Sequence, residues 1–228
     1  MESFFKQANL WKRMVIFTVG LLVMSFGIVL LIQANLGSAP WDVLNIGLFN
    51  QLGLTIGSWT IIVGFFVLFL SAILSKTIPK LGALLNMFLV GLFIDLFLLI
   101  PFLETPSSVI GREGMFLLGL VIMGYGMGLY ISANLGAGPR DSLMIVLANK
   151  LRWSIPSTRL MMEAFVLTIG WILGGPVFWG TVVYALLIGR IAGWSIPQCE
   201  KLTTYFLEKK WRKTESIEGN INNREANL

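Results

Sequence analysis

Six stretches, at about 14–33, 58–75, 82–100, 114–132, 157–174 and 179–196, are nearly free of charge. Each is long enough to cross a bilayer, whose hydrocarbon core takes about 20 residues of helix. No water is available in lipid to satisfy a bare N–H or C=O, so each stretch has to close its own backbone hydrogen bonds as a helix. The fold class that follows is all-α membrane with six transmembrane helices. Composition agrees: 56% of residues are hydrophobic and 13% charged, and the mean hydropathy is +0.79, well beyond a soluble domain. Lys12 and Arg13 ahead of the first stretch resemble the start of a signal peptide. No small-x-small cleavage pattern follows, so the stretch is expected to be retained as a span.

The basic residues set the topology. Lys6, Lys12 and Arg13 precede the first span, Lys76 and Lys80 follow the second, Arg140, Lys150 and Arg152 follow the fourth, and Lys201, Lys209, Lys210, Arg212, Lys213 and Arg224 lie in the tail. Only Arg112, Arg159 and Arg190 fall elsewhere. Six spans with both termini cytoplasmic put this majority on the inner side, as the positive-inside bias requires. The domain organisation is then a cytoplasmic N-terminus (1–13), a transmembrane repeat (14–100), an external loop (101–113), a second repeat (114–196) and a cytoplasmic tail (197–228). The tail alternates Leu202, Tyr205, Phe206 and Trp211 with Lys and Glu over 197–211, a pattern for a short helix on anionic lipid. Beyond Lys213 its polar run is expected to be disordered.

Within this frame one phrase occurs twice. Residues 34–44 spell ANLGSAPWDVL, and 99 positions on (34 against 133) residues 133–143 spell ANLGAGPRDSL. The same offset aligns Gly27 with Gly126 and Met24 with Met123, and after a one-residue gap Gly82 and Gly91 align with Gly180 and Gly189. Each copy follows the first span of a three-span unit. An odd number of spans turns the next unit upside down, so the halves are inverted repeats, with the first phrase toward the outside and the second toward the cytoplasm. Trp41 against Arg140 fits that assignment, since positive charge is favoured on the inner side.

Gly37 and Gly136 can break the preceding helix, while Pro40 and Pro139 suit the first position of a new one. Asp42 and Asp141 fall in its first turn, where a carboxylate favours the positive helix end and caps free N–H groups. The stretches 40–53 and 139–152 are too short to span and suit re-entrant helices. Interrupted helices at matching places in inverted repeats point to a transport site, to which Asn35 and Asn134 would add polar contacts. Charges inside spans mark function by default: Glu163 with Arg159 one turn before it, a pair with no counterpart at Gly64 and Thr60, and Asp95 as a coupling-ion or proton site. Three small-xxx-small pairs, Gly124/Gly128, Gly170/Gly174 and Gly189/Gly193, allow close helix contact inside the bundle or in a homodimer.

The doubled ANLG-x-x-P-x-D phrase, together with LNMFLVGLFIDLF at 85–97, resembles the YczE/YyaS/YitT family of bacterial multi-spanning membrane proteins, and its YczE-like branch most. The likeness covers about 10–196 and implies placement in a bacterial inner membrane. Histidine is absent, Cys199 is single, and no Walker loop, dinucleotide fingerprint, nucleophile elbow or metal-ligand cluster occurs. Neither enzymatic chemistry, nor a cofactor, nor a metal, nor nucleic acid is expected. The expected function is a secondary transporter, permease or exporter, of a small molecule or ion. Its substrate-binding residues would be drawn from Asn35, Gly37, Pro40, Asp42, Asp95, Asn134, Gly136, Pro139, Arg140, Asp141, Arg159 and Glu163. The alternative is a non-transporting accessory protein acting on a protein partner through its tail.

Overall fold

The computed structural model describes residues 2–136 and 138–225, and the side chains of 10–136 and 138–207. Among them are eight α-helices: α1 (Glu2–Ala34), α2 (Pro40–Leu52), α3 (Ile56–Ser75), α4 (Leu81–Leu98), α5 (Val109–Ser132), α6 (Pro139–Leu151), α7 (Ile155–Ile172) and α8 (Trp179–Glu225). Five are long and apolar enough to cross a membrane: Leu10–Ala34, Ile56–Ser75, Leu81–Leu98, Val109–Ser132 and Trp179–Leu207. The expected fifth span, α7, is not among these five, since it carries both Arg159 and Glu163 within 18 residues.

Local chemistry sets most helix starts. The Thr55, Ser108 and Ser154 side chains accept from the N–H groups of Ser58, Gly111 and Ser157, which satisfies donors that a helix end leaves bare. The two short helices begin differently. Pro40 and Pro139 stand in their first turns, and neither Ala39 nor Gly138 supplies a side-chain cap. The preceding helices end where Asn35 (φ 51) and Asn134 (φ 55) turn left-handed, followed by Gly37 (φ 100) and Gly136 (φ 136). Asparagine tolerates that region better than other side chains, which accounts for both Asn residues as helix stops.

Two boundaries differ from expectation. Helix α1 begins at Glu2 rather than near 14, so residues 2–13, expected to stand apart from the first span, belong to the same helix. Helix α8 runs on through Pro197 to Glu225, so the break placed at 196 is absent and the backbone of 214–225, expected to be disordered, is helical. A proline costs an internal helix one hydrogen bond and crowds the carbonyl four residues back. Here that residue is Gly193, which has no side chain to add to the crowding.

The centre of the molecule is the crossing of α1 and α5, whose spans are 56% and 44% buried, against 22–33% for the other three. Leu21, Leu31 and Leu120 are fully or almost fully buried there. Contacts across this crossing exchange between the halves. A side chain at Gly27 would meet the backbone of Met123 and one at Gly126 the backbone of Met24, while Gly20 faces Leu129 and Tyr130 and Gly119 faces Leu30 and Leu31. The exchange continues at the ends of the phrases: Gly180 packs on the carbonyl of Leu36 and Gly82 on that of Leu135. Equal residues at an offset of about 99 thus occupy equal environments.

Two groups of helices emerge from the packing. Helices α1, α4, α5 and α8 form one, through α1 with α5, α1 with α4 and α5 with α8. Helices α2, α3, α6 and α7 form the other, through α2 with α7, α3 with α6, α2 with α3 and α6 with α7. The groups are joined chiefly by α3 on α4. Gly124 and Gly128 are used inside the first group, against Ile191 and Ser195 of α8.

Candidate functional site

Between the two groups lies a cavity of about 120 Å³ to which all eight helices contribute, room for about four waters or a small solute. Its apolar wall is rich in methionine, with Met24, Met123 and Met127 from the central crossing and Met87, Met144 and Met162 around it. Thioether side chains are flexible and polarizable, so such a wall adapts to varied shapes.

The polar wall is divided by half. From the first half come Trp41, Asn45, Thr60 and Asn86, all neutral, and from the second Tyr130, Arg140, Asp141, Arg159, Glu163 and Tyr184. Every ionised group on the wall belongs to the second half. The positions correspond in pairs: Trp41 with Arg140, Thr60 with Arg159, Gly64 with Glu163, and, beyond the gap, Asn86 with Tyr184. One scaffold repeated twice therefore presents a neutral face and a charged face to the same space.

Both phrases reach this space and touch there. The Arg140 guanidinium lies 5.0 Å from the centre of the Trp41 ring, and its Nη2 is 3.8 Å from Asp42 Oδ1. The difference between the copies is thus a contact between them, an electrostatic attraction of cation for ring face, and the explanation by opposite membrane surfaces is corrected. Asp42 itself is 1% exposed. Among the described residues its ion-pair partner is Arg140, and its Oδ2 has no hydrogen-bond donor. Asp42 stands in the first turn of α2 as expected, and the ion pair with Arg140 adds to the favourable helix end. Asp141 accepts from the Tyr130 hydroxyl at 3.1 Å.

The Arg159–Glu163 pair forms within α7 as its spacing requires, Nε to Oε1 at 2.8 Å. Deeper in the first half, Asn45 donates to Thr60 Oγ1 at 2.9 Å, which in turn donates to the Ile56 carbonyl. Two buried amide atoms on the cavity wall, Asn45 Oδ1 and Asn86 Nδ2, are left without partners. A buried polar atom without a partner is costly, so one acceptor and one donor are left unsatisfied beside the cavity.

Of the sequence-predicted site residues, Pro139, Arg140, Asp141, Arg159 and Glu163 line the cavity and Asp42 stands directly behind Arg140. Asn35, Gly37, Pro40, Asn134 and Gly136 do not; they shape the two joints. Asp95 is also elsewhere: its Oδ2 accepts from the Thr55 hydroxyl at 2.6 Å and its Oδ1 from the Gly57 N–H at 2.8 Å, fastening the end of α4 to the start of α3. Reading the sequence missed Asn45, Thr60, Asn86, Tyr130 and Tyr184. The signals on hand were the pairing of Thr60 with Arg159 and of Asn86 with Tyr184 across the repeat, and the place of Asn86 in the 85–97 phrase. Among the described residues no group of His, Cys, Asp and Glu could hold a metal ion.

Comparison with known proteins places this architecture. The model of a family of unknown function, DUF6198, matches residues 11–197. The chain is 41% identical to the "Uncharacterized membrane protein YczE" of Bacillus subtilis over 199 residues, covering 87% of this chain and 92% of that one. It is 32% identical to the B. subtilis protein YyaS over 195 residues, 85% and 96% of the two chains. A protein of Haemophilus influenzae is 33% identical over 181 residues, 79% of this chain and 82% of its own. No solved structure matches the chain significantly. With a match of this extent joined to five long apolar helices, the chain is a membrane protein that belongs to the family DUF6198 and to the YczE/YyaS group of sequences.

Proposed function

We propose that the protein is a secondary transporter of a small polar molecule or ion in a bacterial inner membrane, built as two inverted three-span halves with both termini cytoplasmic. The observation that carries this reading is the meeting of the two interrupted helix starts, through Arg140, Trp41 and Asp42, beside one cavity between two groups of helices. Backbone interrupted at membrane depth is tolerated where it is enclosed in protein or lines a polar space, and a site at the interface of two repeats suits alternating access. Helix α7 serves as the sixth span because its two charges pair with each other and face the cavity instead of lipid. The reciprocal contacts of Gly27 and Gly126 support halves related by a two-fold axis. With the odd number of spans per half, such an axis lies in the membrane plane.

In this mechanism the substrate displaces water, meets Asn45 and Asn86, and is held against the charged face by Arg140, Arg159 and Glu163. Transport makes and breaks no covalent bond, and none is assigned to this chain.

A thermal-shift screen on the purified protein would first supply a ligand, and its flux into liposomes would then be followed. Glu163→Gln is expected to cut flux by about two orders of magnitude with unfolding within a few degrees of wild type. The stability cost is small because the Arg159 side chain left behind is 40% exposed, and solvated ion pairs contribute about 1 kcal/mol or less. Wild-type flux in Glu163→Gln would overturn the role given to the charged face.

A further inference from the structure

The two halves have matching sequences and matching central contacts, yet they differ at one joint. In the first half α3 lies along α4. A side chain at Gly57 would collide with the carbonyl of Gly91, and one at Gly91 with Gly57 and Ile61. Asp95 closes the joint by accepting from the Thr55 hydroxyl and the Gly57 N–H. In the second half the corresponding residues are Pro156 for Gly57, Leu160 for Ile61, Gly189 for Gly91 and Gly193 for Asp95, so neither the side-chain-free contact nor the N–H donor of Gly57 is repeated there. Among the described residues α7 and α8 have no comparable interface. A side chain built on Gly189 or on Gly193 would have open space for 4 Å around it, and Leu160 is 71% exposed. The arginines on the cavity wall, Arg140 and Arg159, have side chains 34% and 40% exposed, whereas Asn45 and Thr60 are buried.

From this asymmetry we infer that α3/α4 and α7/α8 are two alternating gates of the one cavity, and that Asp95 is the latch of the first. The inference rests on the transport reading for its purpose, and it names the moving parts. The group α2, α3, α6 and α7 rocks against α1, α4, α5 and α8. The structure is the state with the α3/α4 gate shut and the α7/α8 gate open. In the other state Leu160 moves onto Gly189, at a wider spacing than Ile61 on Gly91 because the Pro156 ring stands where Gly57 has no side chain, and α3 parts from α4. Two packings of like sequence close in energy make such a switch available. Under the proposed topology the shut gate is external and the open one cytoplasmic. The latch is unequal by construction: a carboxylate holding two donors has no counterpart at Gly193, so the state with the α3/α4 gate shut is favoured at rest.

The test is cross-linking of the full-length protein in membranes, with Cys199→Ser as background and Leu160→Cys with Gly189→Cys as the reporting pair. No atom lies within 4 Å of a Cβ built at Gly189 and α7 and α8 share no substantial interface among the described residues, so the pair is not held at the Cβ spacing of about 3.8 Å that a disulfide favours and cross-linking should be slow in the present state. Asp95→Ala is expected to raise the rate of oxidative cross-linking by about tenfold or more, because hydrogen bonds to a charged group contribute on that scale. In parallel, Ile61→Cys should become reactive toward an impermeant thiol reagent. Asp95→Asn keeps the shape and loses the charge, so it should move both readouts the same way by less. This variant decides the matter if the alanine variant does not fold. Unchanged cross-linking and labelling in folded Asp95 variants would overturn the latch. Neither readout needs a substrate. Gates that respond while the wild-type protein moves no solute would sustain this inference and refute the transport reading, and flux with unresponsive gates would do the reverse.

Discussion

Arg140→Ala is expected to destabilise the protein by about 3 kcal/mol, at the lower end of what losing one partner of a buried pair costs. The effect is unequal between the partners. Asp42 is 1% exposed and holds no donor on Oδ2, so removal of the guanidinium leaves a carboxylate with neither water nor counter-charge. Arg140 is different, because about a third of its side chain is exposed. Asp42→Asn leaves a cation that can be hydrated, and about 1 kcal/mol is the expected loss. Joining Asp42→Asn to Arg140→Ala removes the stranded charge, so the double variant should be more stable than Arg140→Ala alone. In thermal unfolding the single arginine variant should fall by roughly 6–12 °C, at 2–4 °C per kcal/mol for a chain of this size, and the double variant should recover at least half. An arginine variant that unfolds at the wild-type temperature would remove the meeting of the two phrases from the account of stability.

The second large effect is expected at the central crossing. A methyl group at Gly27 would lie 2.7 Å from the Gly119 carbonyl oxygen and from Met123 Cα, and one at Gly126 would meet the backbone of Met24. Backbone cannot rotate aside as a side chain can, so the helices must separate. Separation opens the layer that holds Leu21 and Leu120. Gly27→Ala and Gly126→Ala are each expected to cost about 3 kcal/mol, the upper part of the usual range for overpacking. Their costs should not add, because a single displacement of α1 from α5 relieves both. Gly189→Ala is the control. Open space surrounds that position, and alanine is the better helix former by up to about 1 kcal/mol, so this variant should unfold at or slightly above the wild-type temperature. Equal losses at all three glycines would show that close approach is not what Gly27 and Gly126 provide.

What the sequence disclosed was what depends on near neighbours. The short helices were expected at 40–53 and 139–152 and are found at Pro40–Leu52 and Pro139–Leu151, because a glycine break and a proline start act within a few residues. The Arg159–Glu163 pair was legible for the same reason, since four residues on a helix bring two side chains together. Asp95 was placed in its span, but the hydrogen bonds it makes were not foreseen. Its donors, Thr55 and Gly57, are 40 and 38 residues away, and no local pattern announces them. Trp41 and Arg140 were each assigned to a membrane surface by residue type, but the fold sets them against one another. Asn45, Asn86 and Tyr184 are single polar residues in apolar runs. Their convergence follows only from the packing of α2, α4 and α8 around one space. The continuation of α8 through Pro197 was missed because a proline is read as a stop, whereas a helix can carry one at the loss of a single hydrogen bond.

All of this depends on the two halves entering the membrane from opposite faces, and thiol labelling of intact cells at Leu54→Cys and Trp153→Cys tests it most directly. Both positions are exposed, at 61% and 44%, each just beyond one of the short helices, and Cys199→Ser supplies the background. An impermeant reagent should modify Leu54→Cys from outside the cell and leave Trp153→Cys untouched until the membrane is opened. Modification of both from the same side would contradict the inverted arrangement, and with it the two gates and the shared cavity.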